Sequence, residues 1–169
     1  ACRAAAEGPV RVLVPYVATA EEMQAVRRLL RDAWFTVGGD GPPPALGAMI
    51  ETPAAAWAPA RLLAAADFAA IGTNDLLHLL AGCSRDDPSG MGRLLAAQPV
   101  LDNILGRIAG AAARAGCPVY VCGADAAKPS AARRFRDLGF DGVSVAPPAV
   151  SSVREGLSPE PLDTPPNRA

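Results

Sequence analysis

Short apolar runs, often β-branched, alternate along this chain with longer stretches in which apolar residues recur every three or four positions. The first run, residues 10–14 (VRVLV), predicts a strand ended by Pro15. Thr19 can cap a helix that has Glu21 and Glu22 in its first turn, and apolar residues then recur at Met23, Val26, Leu29, Leu30 and Ala33. Residues 38–44 (GGDGPPP) cannot continue a helix and read as a loop. A second strand is expected over 46–50, and Pro53, favoured just inside a helix start, predicts a helix over 54–66. A third strand over 68–71 is followed by Gly72-Thr73-Asn74-Asp75, and a helix begins at 76–80. Residues 83–92 are polar and loop-like. Residues 100–115 read as a helix closed by Gly116. The pattern then predicts a strand over 119–122, a helix over 130–138 ending at Gly139, a strand over 143–145 and a short helix over 148–156. From residue 158 the sequence SPEPLDTPPNRA has no apolar period, and its proline content predicts a disordered tail over 158–169.

Strand followed by helix, about five times over, implies a parallel sheet with right-handed crossovers, and hence the α/β class. Neither a GxGxxG turn nor a GxxxxGK[ST] loop follows the first strand, so a dinucleotide fold and a phosphate-binding P-loop are set aside. A (βα) barrel fits better. A closed barrel needs eight strands and typically about 250 residues. Residues 1–157 are therefore expected to be a barrel segment holding the last five strands, incomplete on its N-terminal side. Half of the residues are hydrophobic and a fifth charged, which suits a globular domain. Sixteen cations balance seventeen anions, so no basic excess draws the chain to nucleic acid or to an anionic membrane. No apolar stretch reaches the roughly 20 residues of a membrane span, and the first residues lack a signal-peptide pattern. Cys2, Cys83, Cys117 and Cys122 form no CxxC pair, which argues for free thiols in a reducing cytoplasm.

In a βα barrel the reactive groups lie at the carboxyl ends of the strands. Those ends carry Pro15-Tyr16, Glu51-Thr52, Asn74-Asp75, Cys122-Gly123 and residues 144–147. Glu51 and Asp75 end successive strands, which lie about 4.8 Å apart in a parallel sheet. Two such carboxylates can share one hard cation, and Mg²⁺ takes few protein ligands, filling its octahedron with water and substrate oxygens.

The runs Gly47-Ala48-Met49-Ile50-Glu51-Thr52-Pro53-Ala54-Ala55-Ala56 and Ile71-Gly72-Thr73-Asn74-Asp75-Leu76, followed by Val121-Cys122-Gly123, resemble the C-terminal, PEP-binding barrel of the phosphoenolpyruvate-utilising enzymes. The ETPAAA run is most similar to enzyme I of the PEP-dependent sugar phosphotransferase system. The run Gly82-Cys83-Ser84-Arg85-Asp86-Asp87 is more similar to pyruvate phosphate dikinase. The resemblance spans roughly residues 10–155. It implies a Mg²⁺-dependent transferase of sugar transport in which PEP gives its phosphoryl group to a histidine of a separate domain or phosphocarrier protein, and a cysteine protonates the remaining enolpyruvate to pyruvate. It implies Glu51 and Asp75 as metal ligands, Asn74 and Arg85 on the phosphate, Gly72, Thr73 and Gly123 as further substrate contacts, Cys122 as general acid, and a homodimer in the cytoplasm.

Three departures accompany the likeness. Ala124 stands where the family has glutamate after its CG motif, and Asp125 next to it is expected to point elsewhere from a strand. Arginines from earlier strands are missing, and so is the phosphohistidine domain. The chain alone is therefore expected not to catalyse transfer. Two other readings stand beside the first: a metal-dependent aldolase or lyase of the HpcH type, and a non-catalytic dimerisation or sensing module. His78 reads as a pocket-lining or packing residue, Cys2, Cys83 and Cys117 as structural or incidental, and Trp34 and Trp57 as core or interface anchors.

Overall fold

The computed structural model describes residues 1–5, 7–84 and 86–158. A short helix α1 (Cys2–Ala5) precedes β1 (Arg11–Val14), α2 (Ala20–Thr36), β2 (Ala45–Ile50), α3 (Pro53–Trp57), α4 (Pro59–Ala64) and β3 (Phe68–Gly72). Then follow α5 (Thr73–Ala81), α6 (Met91–Ala115), β4 (Val119–Cys122), α7 (Pro129–Asp137), β5 (Gly142–Ser144) and α8 (Val150–Leu157). The five strands form one wholly parallel sheet in chain order, β1-β2-β3-β4-β5. This is the arc of a barrel expected from the sequence. The proposed tail lies almost entirely outside the described residues.

The two faces of the sheet differ. Leu46, Ala48 and Ile50 of β2, Ala69 and Ile71 of β3, and Val119 and Val121 of β4 are all 0% exposed and meet the helices. Fully burying one of the larger side chains contributes about 1.5–3 kcal/mol. The alternate residues line the other, concave face, where Leu13 is exposed and Met49, Tyr120 and Cys122 are half-buried. On this face Phe68 lies over Gly47, where a Cβ would overlap its ring, and the Arg11 guanidinium stacks 5.4 Å from the ring centroid.

Helix α2 starts as expected: Thr19 accepts from Glu22 N–H, and the Glu22 carboxylate accepts from Thr19 N–H, a reciprocal capping box. Three expectations need correction. The helix expected over 54–66 is two, because Pro59 has no N–H to donate and disfavours helical backbone at Ala58, which turns to φ −123°, ψ 55°. The helix expected to begin at Leu76 begins already at Thr73, because residues with weak helix propensity are well tolerated in a first turn, and buried Leu76 anchors the segment. The helix expected over 100–115 begins at Met91 and runs through Pro99. Proline there forfeits one backbone bond, but Ala97, Leu101, Ile104, Leu105 and Ile108 bury one face and hold the helix together. Among the described residues no helix is long and apolar enough to cross a membrane.

Candidate active site at the carboxyl ends of the strands

Strand pairing sets the site. Ile50 lies beside Ile71 and Gly72 beside Cys122, so Glu51, Gly72 and Cys122 form one row across β2, β3 and β4, with Ser144 of β5 next to Cys122. Glu51 is 2% exposed. Its Oε1 accepts the Tyr16 N–H at 2.8 Å. Tyr16 holds the left-handed backbone conformation, φ 53°, alone among the described non-glycine residues. That conformation costs energy in a residue with a bulky side chain, and such strain gathers at functional sites. Gly72 makes the seat for Glu51: a Cβ there would lie 2.6 Å from Glu51 Oε2 and 2.8 Å from its Cβ. The sequence marks Gly72 as a substrate contact or turn; the structure adds that its missing side chain leaves room for a buried carboxylate.

Helix α5 begins directly at the end of β3 and presents the next residues. Thr73 is buried, and its hydroxyl donates to the Cys122 carbonyl at 2.9 Å, tying the start of α5 to the end of β4. Asn74 Oδ1 accepts from Ala124 N–H at 3.1 Å. The Asn74 carbonyl thus fastens the turn after β4 and leaves its NH₂ as the group able to donate to a ligand. Between them Gly123 adopts φ 122°, with Thr73 Oγ1 and Asn74 Oδ1 occupying the space a Cβ would need. No other residue fits there without displacing both contacts.

The half-buried Cys122 Sγ donates to the Ile71 carbonyl at 3.1 Å. Burial, and after it the negative charges of Glu51 and Asp75, push the thiol's pKa up. Both carboxylates thus act on this sulfur and add to the effect of burial in favouring the thiol over the thiolate.

Asp75 stands in the first turn of α5. Among the described residues no group of three or more His, Cys, Asp or Glu could hold a metal. Two carboxylates are a donor set that suits Mg²⁺, provided the remaining positions go to water and substrate oxygens. Arg85 lies outside the described residues. Asp125 is not on a strand as expected but in a one-turn helix (Ala124–Ala127), where it pairs with Lys128 Nζ at 2.6 Å. His78, three residues beyond Asp75, packs against Cys83. Trp34 is a core anchor, while Trp57 is exposed and stacked on Arg107, 4.6 Å from its ring centroid. The contribution that residue types alone did not reveal is the Tyr16 backbone N–H; its one sequence signal was its place after a strand-ending proline.

A parallel βα sheet with acids, an amide and a protonated thiol gathered at its carboxyl edge defines a barrel-type α/β ligand-binding domain. The chain belongs to the family described as "PEP-utilising enzyme, PEP-binding domain", which it matches over residues 1–160. It is 35% identical over 159 residues to a phosphoenolpyruvate-protein phosphotransferase of Cupriavidus necator, covering 92% of this chain and 27% of that protein. It is 31% identical over 150 residues to a protein of the same name from Chlamydia trachomatis, covering 89% of this chain and 26% of that one. The chain thus spans about a quarter of these relatives. In fold it is similar to a citrate lyase of Burkholderia xenovorans, with a TM-score of 0.72 at 17% identity over 94% of this chain and 52% of that one. It is likewise similar to a pyruvate kinase of Cryptosporidium parvum, with a TM-score of 0.65 at 12% identity over 86% and 30%.

Proposed function

We propose that this chain is the PEP-binding segment of a phosphoenolpyruvate-protein phosphotransferase of the cytoplasmic sugar-transport system. The observation that carries the reading is the row Glu51–Gly72–Cys122, in which a buried carboxylate and a thiol kept protonated meet at the strand ends. On this reading Glu51 and Asp75 are the residues that would hold Mg²⁺. When bound, the ion neutralises charge on the carboxylate and phosphate of PEP. The Asn74 NH₂ and Arg85 hydrogen-bond the phosphate, and Gly72, Thr73 and Gly123 shape the floor against which the substrate lies. Phosphoryl transfer needs chiefly charge neutralisation and alignment, which these groups supply. The acceptor is a histidine of a phosphohistidine domain or phosphocarrier protein. Cys122 then gives its proton to carbon 3 of enolpyruvate, which leaves as pyruvate. A thiol whose pKa is raised by burial still carries that proton when it is needed. The assembly is a homodimer.

Calorimetric titration with oxalate, a mimic of enolpyruvate, tests the site. Binding that requires Mg²⁺ and disappears in Glu51→Ala is the expected result; binding indifferent to both overturns it. The chain alone binds but does not transfer phosphate; appearance of labelled phosphate from PEP on a carrier protein would refute that part. Ala124, in the position of the family's glutamate, favours a second reading as a non-catalytic module. Its mark is ligand binding by a full-length protein that turns nothing over.

A further inference from the structure

At the far end of α5 a second thiol has quite different company. Helix α5 closes at Gly82 in the left-handed conformation, φ 61°, and the reversal returns Cys83 to the helix it has just left, where its N–H meets the His78 carbonyl at 3.2 Å. Cys83 Sγ then lies 3.7 Å from His78 Nδ1, within hydrogen-bond reach for sulfur. The thiol also lies against the amino terminus of the 25-residue α6: a Cβ built on its N-cap, Gly90, would be 3.2 Å from Sγ. The first turn of α6 carries no acid. Arg93, in that turn, donates to the Gly82 carbonyl at 3.3 Å, just beside Cys83. The facing carboxylate is Asp87, whose Oδ1 is taken up by the Ser89 N–H and hydroxyl. A base within reach of the S–H, a helix amino terminus and a cation are the surroundings in which thiols become nucleophilic.

We propose that Cys83 and His78 form a peroxide-reactive thiol, a modification site separate from the strand-end site. With its ring proton on Nε2, His78 takes the thiol proton at Nδ1. The sulfur attacks one oxygen of a hydroperoxide; the S–O bond forms as the O–O bond breaks. Sulfur is oxidised by two electrons to the sulfenic acid, and the leaving oxygen takes the proton from His78 and departs as water or an alcohol. The hydroperoxide is the oxidant.

The protein itself supplies the controls. Cys117 is buried, and burial keeps both it and Cys122 as thiols. Cys2 is half-buried with no imidazole in reach, its sulfur facing the Leu30 carbonyl at 3.8 Å. The intact chain is treated with hydrogen peroxide in the presence of a dimedone probe, and labelling of each cysteine is followed by mass spectrometry. Cys83 is expected to label about tenfold faster than Cys2, and His78→Gln to lower the Cys83 rate about tenfold while leaving Cys2 unchanged. Equal rates at Cys83 and Cys2 would overturn the proposal, as would a folded His78→Gln chain that labels at the parental rate. Should the variant not fold, the comparison of cysteines within the intact chain decides.

Discussion

Carboxylates at the two ends of the sheet perform the same local task in opposite surroundings. At the amino ends, Asp67 Oδ2 accepts the Leu46 N–H and Asp141 Oδ2 accepts the Val119 N–H, each at 2.7 Å. At the carboxyl end, Glu51 accepts the Tyr16 N–H at 2.8 Å. Each acid holds a backbone group of the preceding strand unit. But Asp67 is 43% exposed at its side chain and gripped by both terminal nitrogens of Arg27, at 3.0 and 3.1 Å. Burial alone would raise its pKa; the Arg27 hydrogen bonds, the Leu46 N–H and the Arg27 charge outweigh it and hold the carboxyl below its ordinary 3.8. Glu51 is sealed in, and its field, with that of Asp75, bears on a thiol. One end turns its charge on an arginine and holds strands together; the other, on the proposed reading, also serves a ligand. That division matches the rule that barrels catalyse at the carboxyl face and stabilise at the amino face.

The sharpest way to break this contrast is Glu51→Gln. The amide still accepts from Tyr16, so thermal unfolding should change little. Mg²⁺-dependent oxalate affinity should fall about a hundredfold, the scale of losing one member of a desolvated charge pair. Loss of fold with no separate effect on binding would place Glu51 with the structural acids. Next, Gly72→Ala forces a Cβ onto Glu51 and should cost about 1–3 kcal/mol in denaturant unfolding together with most of the binding. Asp67→Ala should also cost about 1–3 kcal/mol, leaving the Leu46 N–H without its acceptor and Arg27 with only the Ala65 carbonyl. Oxalate affinity should stay at the parental value, and a fall would erase the distinction between the two ends. The smallest effect is in pH. Because its pKa is depressed in the fold, Asp67 stabilises fully above 3.8 and loses that contribution as acid protonates it. The stability gap between parent and Asp67→Asn should therefore narrow as pH falls below 3.8, and a constant gap would deny the carboxylate its part.

Much of this was legible in advance. All five strands and the strand-end positions of Glu51 and Cys122 follow from apolar runs ended by proline, glycine or polar residues. The start of α5 was not, because Thr73, Asn74 and Asp75 have weak helix propensity and only the burial of Leu76 commits them. Nor was α6 across Pro99, where packing overrides a local breaker. At the site, residue types point to the acids and the thiol but not to Tyr16, whose contribution is a backbone N–H in a strained conformation. Cys83 reads as incidental in the sequence, because nothing local shows that the turn at Gly82 will fold it back onto His78.

The strands lie in the sheet in the order they occur in the chain. Each βα unit therefore finds its partner in the unit made immediately before it. No strand has to be held open for a later one to slide between two that are already paired. Each step closes one crossover and no more, and the entropy cost of closure grows only slowly with the length of the crossover. As the chain leaves the ribosome, β1 and β2 can pair before β3 exists, and every later unit meets a finished edge, so the polypeptide's timetable of synthesis is also a workable timetable of assembly.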